Sequence, residues 1–273
     1  MADNCGFNGN PDLYGLGIRL SLYIQLLTMA LVATFIPQSM YYSFFANTNL
    51  SLFVSSWIII LKLSSSREIR GVELGIFPVL IGSAYAGVII LLSNWHSTKF
   101  QVRSKLTVVA AISYWLWFSW SGLDVLPSSG CAQDYVFVFA KVDLYGWFRT
   151  AMKVGYIVYL ILYLIFALIP PDPIESDSGA SESKWIKLVK GSSTIVLLAI
   201  SIVSTELTIS WNHIHDVSSI STLRSVGQLL PLVIALGQFV CVLYLAFRGD
   251  EHTRVSEDDG SGEFSGLCPE RFY

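Results

Sequence analysis

The sequence predicts an all-α transmembrane bundle of seven helices. Of its 273 residues, 53 % are hydrophobic and only 14 % are charged, whereas soluble domains carry about 25 % charged residues. Mean hydropathy is +0.57, and apolar runs of the roughly 20 residues that cross a bilayer recur along the chain. These observations exclude a soluble enzyme and a secreted disulfide scaffold. The net charge of -3 excludes a nucleic-acid partner, which would require a basic surface.

A membrane-length window finds seven candidate spans along the chain. The first, fifth and seventh are continuous apolar runs. Asn47 and Asn49 interrupt the second, and the fourth is short and rich in Trp and Tyr, so a bundle of six spans is the alternative. The predicted spans are Tyr14–Ile36, Phe44–Leu63, Gly71–Ser93, Lys105–Ser121, Trp147–Ile169, Gly191–Ser210 and Val226–Phe247.

The chain divides into an amino-terminal segment at 1–13, a bundle at 14–247 and a tail at 248–273. The amino terminus lacks the basic region and the cleavage site of a secretory signal, so we expect the first span to insert and remain in the protein. The tail alternates acidic residues with Gly and Ser, which is typical of a disordered segment.

An odd number of spans places the two termini on opposite sides of the membrane. We call side A the face with the amino terminus and the loops at 64–70, 122–146 and 211–225. Lysine and arginine divide almost equally between the two sides, so they do not orient the bundle. Cys5 and Cys131 both fall on side A and either form a disulfide, as in an oxidising compartment, or remain free thiols. The predicted localisation is a multi-pass protein of the endoplasmic reticulum or plasma membrane.

Ionisable residues concentrate at the side A ends of the spans. Such groups cost about 2.5–3.5 kcal/mol at the centre of a transmembrane helix, so they often mark a functional site. Glu73 and Glu206 are the predicted catalytic acids, and we expect pairing with basic residues across helices because unpaired burial is costly. The alternative is that these pairs only hold the bundle together. The predicted binding residues around the two acids are Arg19, Tyr23, Asp124, Asn212 and Gln228.

Trp117 and Trp120 belong to an aromatic cluster at the side A end of the fourth span. We predict that they contribute an aromatic wall for a lipophilic ligand or for a carbocation held by cation–π attraction. The alternative is that they anchor the helix at the membrane interface, where Trp and Tyr are enriched.

The sequence indicates no metal or other cofactor. His213-x-His215-Asp216 is a weak metal-binding pattern without a second ligand pair, and solvated loop histidines explain it more simply. The chain has no Walker motif, no G-x-S-x-G elbow and no zinc-binding HExxH helix.

The segment Cys5–Arg19, CGFNGNPDLYGLGIR, resembles the start of a large group of polytopic membrane proteins from filamentous fungi. The segments Glu206–Ile214 and Gly227–Pro231 resemble the same group. Some members are similar to integral membrane components of secondary-metabolite gene clusters, including indole-diterpene clusters. The resemblance implies a fungal membrane protein, and it transfers no catalytic residue.

The leading hypothesis is a membrane-embedded enzyme or accessory protein in the biosynthesis of a lipophilic secondary metabolite such as a terpenoid. Its expected partners are the bilayer, a lipophilic small molecule and membrane-associated biosynthetic enzymes. In the enzymatic version Glu73 or Glu206, desolvated in the bundle, holds a proton and delivers it to an alkene or epoxide. The alternatives are a small-molecule transporter, a seven-span receptor, or a scaffold that keeps soluble enzymes at the membrane.

Overall fold

The computed structural model describes residues 6–35, 42–91, 98–128, 134–137, 140–168, 184–215, 217 and 225–255. Within this part of the chain the fold is all-α, with seven helices long and apolar enough to cross a membrane. This confirms the predicted seven spans over the six-span alternative. The spans are Pro11–Phe35, Thr48–Ser66, Gly71–Leu91, Val102–Val125, Trp147–Ile165, Lys184–Trp211 and Val226–Phe247.

The helices agree with the predicted spans to within a few residues at most ends. The fourth span ends in a π-helical turn, Phe118–Gly122, and a short helix. The last helix continues beyond Phe247, so the first part of the predicted tail is helical, whereas 256–273 lie outside the described residues. The helices are α1 Pro11–Tyr14, α2 Leu16–Phe35, α3 Tyr42–Ser66, α4 Gly71–Leu91, α5 Thr98–Trp117, α6 Leu123–Val125, α7 Trp147–Leu168, α8 Lys184–Trp211 and α9 Val226–Val255.

Local chemistry explains how the first span begins. Pro11 occupies the start of α1, where its missing N–H costs no hydrogen bond. The side chain of Asn10 caps the helix by accepting a hydrogen bond from the Asp12 N–H at 3.0 Å. Gly15 then separates α1 from α2, and a Cβ atom there would collide with the Pro11 carbonyl and with the Gln228 side chain. Glycine is therefore needed for the close approach of α9.

Short strands join the side A loops. β1, Phe7–Asn8, pairs in parallel with β4, Ile214–His215. β2, Tyr135–Phe137, pairs antiparallel with β3, Lys141–Asp143. The N–H of Gly71 also donates a hydrogen bond to the Pro127 carbonyl at 3.4 Å. These contacts place the amino-terminal segment and the three predicted side A loops at one end of the bundle.

The helices form a tightly packed group and a looser one. α2 packs against α4, α8 and α9, and α4 also packs against α8. Small residues permit these close contacts, as is usual between membrane helices. Gly87 of α4 meets Leu26 and Met29 of α2, for example. α3, α5 and α7 lie outside this group, and none of the α7 span is buried within the protein, so α7 is a peripheral helix with exposed apolar side chains.

Candidate functional site

A buried arginine joins the first and sixth membrane spans. Arg19 of α2 is only 1 % exposed, and its Nη1 forms an ion pair with Glu206 of α8. Its Nη2 donates to the carbonyl oxygen of Val217 at 3.1 Å. Tyr23, one turn along α2, donates its hydroxyl to Glu206 Oε1 at 3.2 Å. The expected pairing of an acid with a base across helices is confirmed here, and both carboxylate oxygens of Glu206 accept hydrogen bonds.

Glu73 ties the amino-terminal segment to α4. Its Oε1 accepts hydrogen bonds from the Asn10 N–H at 2.9 Å and from the Tyr14 hydroxyl at 2.8 Å. Its Oε2 accepts from the Arg70 N–H at 2.8 Å, so it also caps the start of its own helix. The side chain is buried. Three donors thus face this carboxyl group, and both of its oxygens accept hydrogen bonds.

Asn212 and Gln228 are fully buried and bind backbone groups. Gln228 Oε1 accepts a hydrogen bond from the Gly17 N–H at 3.1 Å and so links α9 to α2. Asn212 Oδ1 accepts from the Tyr135 N–H at 2.9 Å, and its Nδ2 donates to the carbonyl oxygens of Tyr135 at 2.6 Å and Thr208 at 2.7 Å. Asn212 therefore fastens β2 to the end of α8.

Asp124 and Arg149 form a second, more exposed ion pair. Two guanidinium nitrogens of Arg149 donate to the two carboxylate oxygens of Asp124 at 2.7 and 2.6 Å. Arg149 also donates to the carbonyl oxygens of Ser119 and Trp120, which the π-helical turn leaves available. The Asp124 side chain is 62 % exposed. This pair joins α7 to the end of the fourth span at the surface of the bundle.

The two predicted wall residues lie on the outside of the bundle. Trp117 is 39 % exposed and Trp120 is 54 % exposed. The ammonium group of Lys153 lies 5.2 Å from the centroid of the Trp120 ring. An aromatic side chain beside a basic one at a helix end is typical of a membrane-interface anchor.

The predicted site residues therefore meet at side A in separate contacts. Arg19, Tyr23 and Glu206 form one group, and Asp124 and Arg149 form another.

Close to the second group, burial raises the pKa of the Tyr145 hydroxyl, and the carboxylate of Asp134 raises it further. Among the described residues, no group of three His, Cys, Asp or Glu side chains could hold a metal ion.

The predicted disulfide cannot be placed. Cys5 and Cys131 both lie outside the described residues, so their pairing stays a prediction. Cys241 of α9 is disulfide-bonded.

A cavity of about 480 Å³ lies between α3, α4, α5 and α7. Trp57 is part of its wall, with its ring edge-on to Phe77 at 5.6 Å and to Trp115 at 5.9 Å between centroids. The walls are thus held by aromatic packing, which prefers such edge-to-face geometry. The aromatic lining residues are Phe53, Trp57, Phe77, Tyr85, Trp115, Tyr156, Tyr159 and Tyr163.

The cavity is uncharged among its described lining residues. Two of its hydroxyl groups are engaged: the Tyr85 hydroxyl donates to the Ser104 carbonyl at 3.1 Å, and the Tyr163 hydroxyl donates to the Lys105 carbonyl at 3.4 Å. The indole Nε1 of Trp57 has no hydrogen-bond partner among the described residues. Gly82 of α4 faces open space, because a Cβ atom added there would meet nothing within 4 Å. We call this space the aromatic cavity.

None of the predicted site residues that the structure describes lines the aromatic cavity. On α4 the lining runs from Phe77 to Ile90, beyond the first turn that carries Glu73, so the cavity lies deeper in the bundle than the side A contacts. The sequence did contain a signal for it. Tyr156, Tyr159 and Tyr163 follow the i, i+3, i+7 spacing of one helix face.

Comparison of the chain with protein-family models, with curated proteins and with solved structures gives no match.

Proposed function

We propose that this multi-pass membrane protein binds a lipophilic small molecule in the aromatic cavity and serves the biosynthesis of a lipophilic secondary metabolite. The observation that carries the proposal is the cavity itself, about 480 Å³ of space walled by eight aromatic side chains. Ligand pockets in proteins typically measure about 300–1,000 Å³ and are mostly apolar. The metabolic role rests on the resemblance of Cys5–Arg19 to fungal membrane proteins.

The lining favours an uncharged ligand. A charged molecule in this space would lose its hydration without gaining a counter-ion, which is costly in a low-dielectric interior. The aromatic rings instead offer a large apolar surface, and their faces attract positive charge. A terpenoid or another polycyclic or isoprenoid molecule has the matching character.

The ligand has a direct route from the bilayer. Two lining residues, Ile89 of α4 and Tyr159 of α7, are also 41 % and 52 % exposed on the outer surface of the bundle. Their helices make no extended contact with each other in the described part of the chain. A molecule dissolved in the membrane could therefore enter between α4 and α7 without crossing the aqueous phase.

The accessory or carrier version of the proposal has more support than the acid-initiated cyclase. A cyclase needs a protonated carboxyl group beside the bound alkene or epoxide. Glu73 and Glu206 accept hydrogen bonds at side A and do not line the cavity. The described lining offers tyrosine and serine hydroxyls, which are far weaker acids.

The test is to identify what the protein carries. The wild type is purified from its native membranes in mild detergent, and its bound lipophilic molecules are measured by native mass spectrometry. The cavity-filling variant Gly82→Phe should carry roughly tenfold less bound lipophilic molecule than the wild type, because the added ring occupies the cavity. Gly237→Phe is the matched control, since Gly237 of α9 also faces open space and does not line the cavity.

A wild type without any bound lipophile, or an equal amount in the Gly82→Phe and Gly237→Phe variants, would show that the cavity holds no ligand. Thermal unfolding of all three proteins checks that the substitutions leave the fold intact.

A further inference from the structure

Gln25 is a buried amide whose polar atoms are both unused. It lies in α2, is 2 % exposed, and neither its Nε2 nor its Oε1 has a hydrogen-bond partner among the described residues. Burying an unsatisfied amide is unfavourable, so proteins nearly always supply a partner. An unsatisfied amide that also borders vacant space is a position where a bound polar group would find a hydrogen-bond partner.

The side chain of Gln25 lines a small cavity of about 20 Å³. That volume holds one water-sized group. The other polar side chains in its wall are Asn49, Ser56 and Tyr85. Ser56 donates its hydroxyl to the Leu52 carbonyl at 2.8 Å, and Tyr85 donates to the Ser104 carbonyl at 3.1 Å. The amide of Gln25 therefore has both a donor and an acceptor to offer to whatever fills this space.

The small cavity adjoins the aromatic cavity. Phe53 and Tyr85 line both spaces, and their rings stack with centroids 4.4 Å apart. These two rings form the shared wall, so a movement of either side chain would connect the spaces. The combined site would place an unsatisfied amide at one end of a mostly apolar space.

We propose that Gln25 is the specificity-determining residue of the aromatic cavity and binds the single oxygen function of a lipophilic ligand. This inference rests on the proposed function. The ligand class is a molecule with an apolar body and one hydroxyl or carbonyl group at its end. The body occupies the aromatic cavity, and the oxygen passes the Phe53–Tyr85 wall to bind the amide of Gln25.

A second buried glutamine shows why the cavity matters. Gln238 of α9 is 5 % exposed, and both of its amide atoms also lack a partner among the described residues. It lines neither the small cavity nor the aromatic cavity. Gln238 is therefore the matched control for Gln25, since it has the same chemistry and similar burial without the adjoining space.

The experiment compares two probes that differ in one hydroxyl group. Tritiated farnesol and the corresponding hydrocarbon without the hydroxyl are bound at equilibrium to the full chain in lipid nanodiscs, with empty nanodiscs as the reference. The wild type should bind farnesol roughly tenfold more tightly, as one buried hydrogen bond to a neutral partner implies. Gln25→Met should bind both probes about equally while keeping its affinity for the hydrocarbon, and Gln238→Met should keep the wild-type preference.

The outcomes separate this inference from the proposed function. Equal binding of both probes to the wild type, or an unchanged preference in Gln25→Met, overturns the role of Gln25 and leaves the cavity as a binding site. Binding of neither probe to the wild type overturns the proposed function together with this inference. The wild-type comparison stands even if a variant fails to fold, and Gln25→Asn, whose shorter amide withdraws from the cavity, provides a second test of the lost preference.

Discussion

The side A end of the bundle and the aromatic cavity use their polar groups in opposite ways. At side A the buried Arg19 and Glu73 have partners on other elements, and the carboxylates of Glu73 and Glu206 accept hydrogen bonds with every oxygen. The aromatic cavity has no charge in its described lining, and its neighbour contains the unused amide of Gln25. The charged residues of side A thus join helices to one another, whereas the proposed binding site combines vacant space with an unsatisfied amide beside it.

The largest expected effect is on the stability of the side A end. Glu206→Leu removes the acid that pairs with the buried Arg19 and should lower the free energy of unfolding by about 3 kcal/mol. That value is the low end for a broken buried pair, because Glu206 itself is 46 % exposed. Unfolding in mixed detergent micelles measures the difference.

The control for Glu206 is the exposed pair. Asp124→Leu removes the acid partner of Arg149. The guanidinium group of Arg149 keeps its hydrogen bonds to the carbonyl oxygens of Ser119 and Trp120. Its effect on unfolding should be much smaller, as for most ion pairs at a surface. A loss in Asp124→Leu equal to that in Glu206→Leu would contradict the assignment of Arg19 as the buried link.

An intermediate effect is expected at Glu73. Glu73→Gln places an NH₂ group where a carboxylate oxygen now accepts a hydrogen bond, so one donor faces another donor. The free energy of unfolding should fall by about 1–2 kcal/mol. Glu68→Gln, at an exposed position just before α4, should leave it unchanged.

Glu73→Gln also distinguishes assembly from catalysis. If Glu73 served as a catalytic acid, the variant would lose metabolite production while keeping its wild-type stability. Lost metabolite production at wild-type stability would contradict the assignment of Glu73 to assembly of the bundle.

The smallest expected effect is on farnesol binding, and it should differ between two tryptophans of neighbouring helical turns. Trp115 is buried and lines the aromatic cavity, whereas Trp120 is exposed at side A and does not line it. Trp115→Leu should weaken farnesol binding about fivefold, because an aromatic contact contributes about 1 kcal/mol. Trp120→Leu should leave binding unchanged. If Trp120→Leu weakened farnesol binding more than Trp115→Leu does, the result would favour the aromatic wall that the sequence predicts at Trp117 and Trp120.

The fold was predictable because each span is encoded locally. A helix that crosses a bilayer must be apolar along its whole length, and α4 and α9 begin at the predicted residues, Gly71 and Val226. The prediction that acids pair with bases across helices holds for Glu206 and Arg19, because a buried guanidinium without a counter-charge is costly. Glu73 instead accepts hydrogen bonds from the Tyr14 hydroxyl and from the backbone N–H groups of Asn10 and Arg70.

The aromatic cavity was not predictable in the same way. It depends on how four separate helices stand against one another, and no single segment encodes that arrangement. Hydrophobic periodicity does not help in a membrane, because lipid and protein interior are both apolar. Trp115 and Trp117 look alike in the sequence, yet the first is 6 % exposed and the second is 39 % exposed.

The position of a bound lipophile tests the central claim most directly. A photoreactive diazirine analogue of farnesol is cross-linked to the full chain in its membrane, with and without excess farnesol, and the modified peptides are mapped by mass spectrometry. Labelling that farnesol displaces should fall on the lining of the aromatic cavity, around Trp57, Gly82, Trp115 and Tyr159. Displaceable labelling confined to the side A residues around Arg19, Glu73 and Glu206 would contradict it.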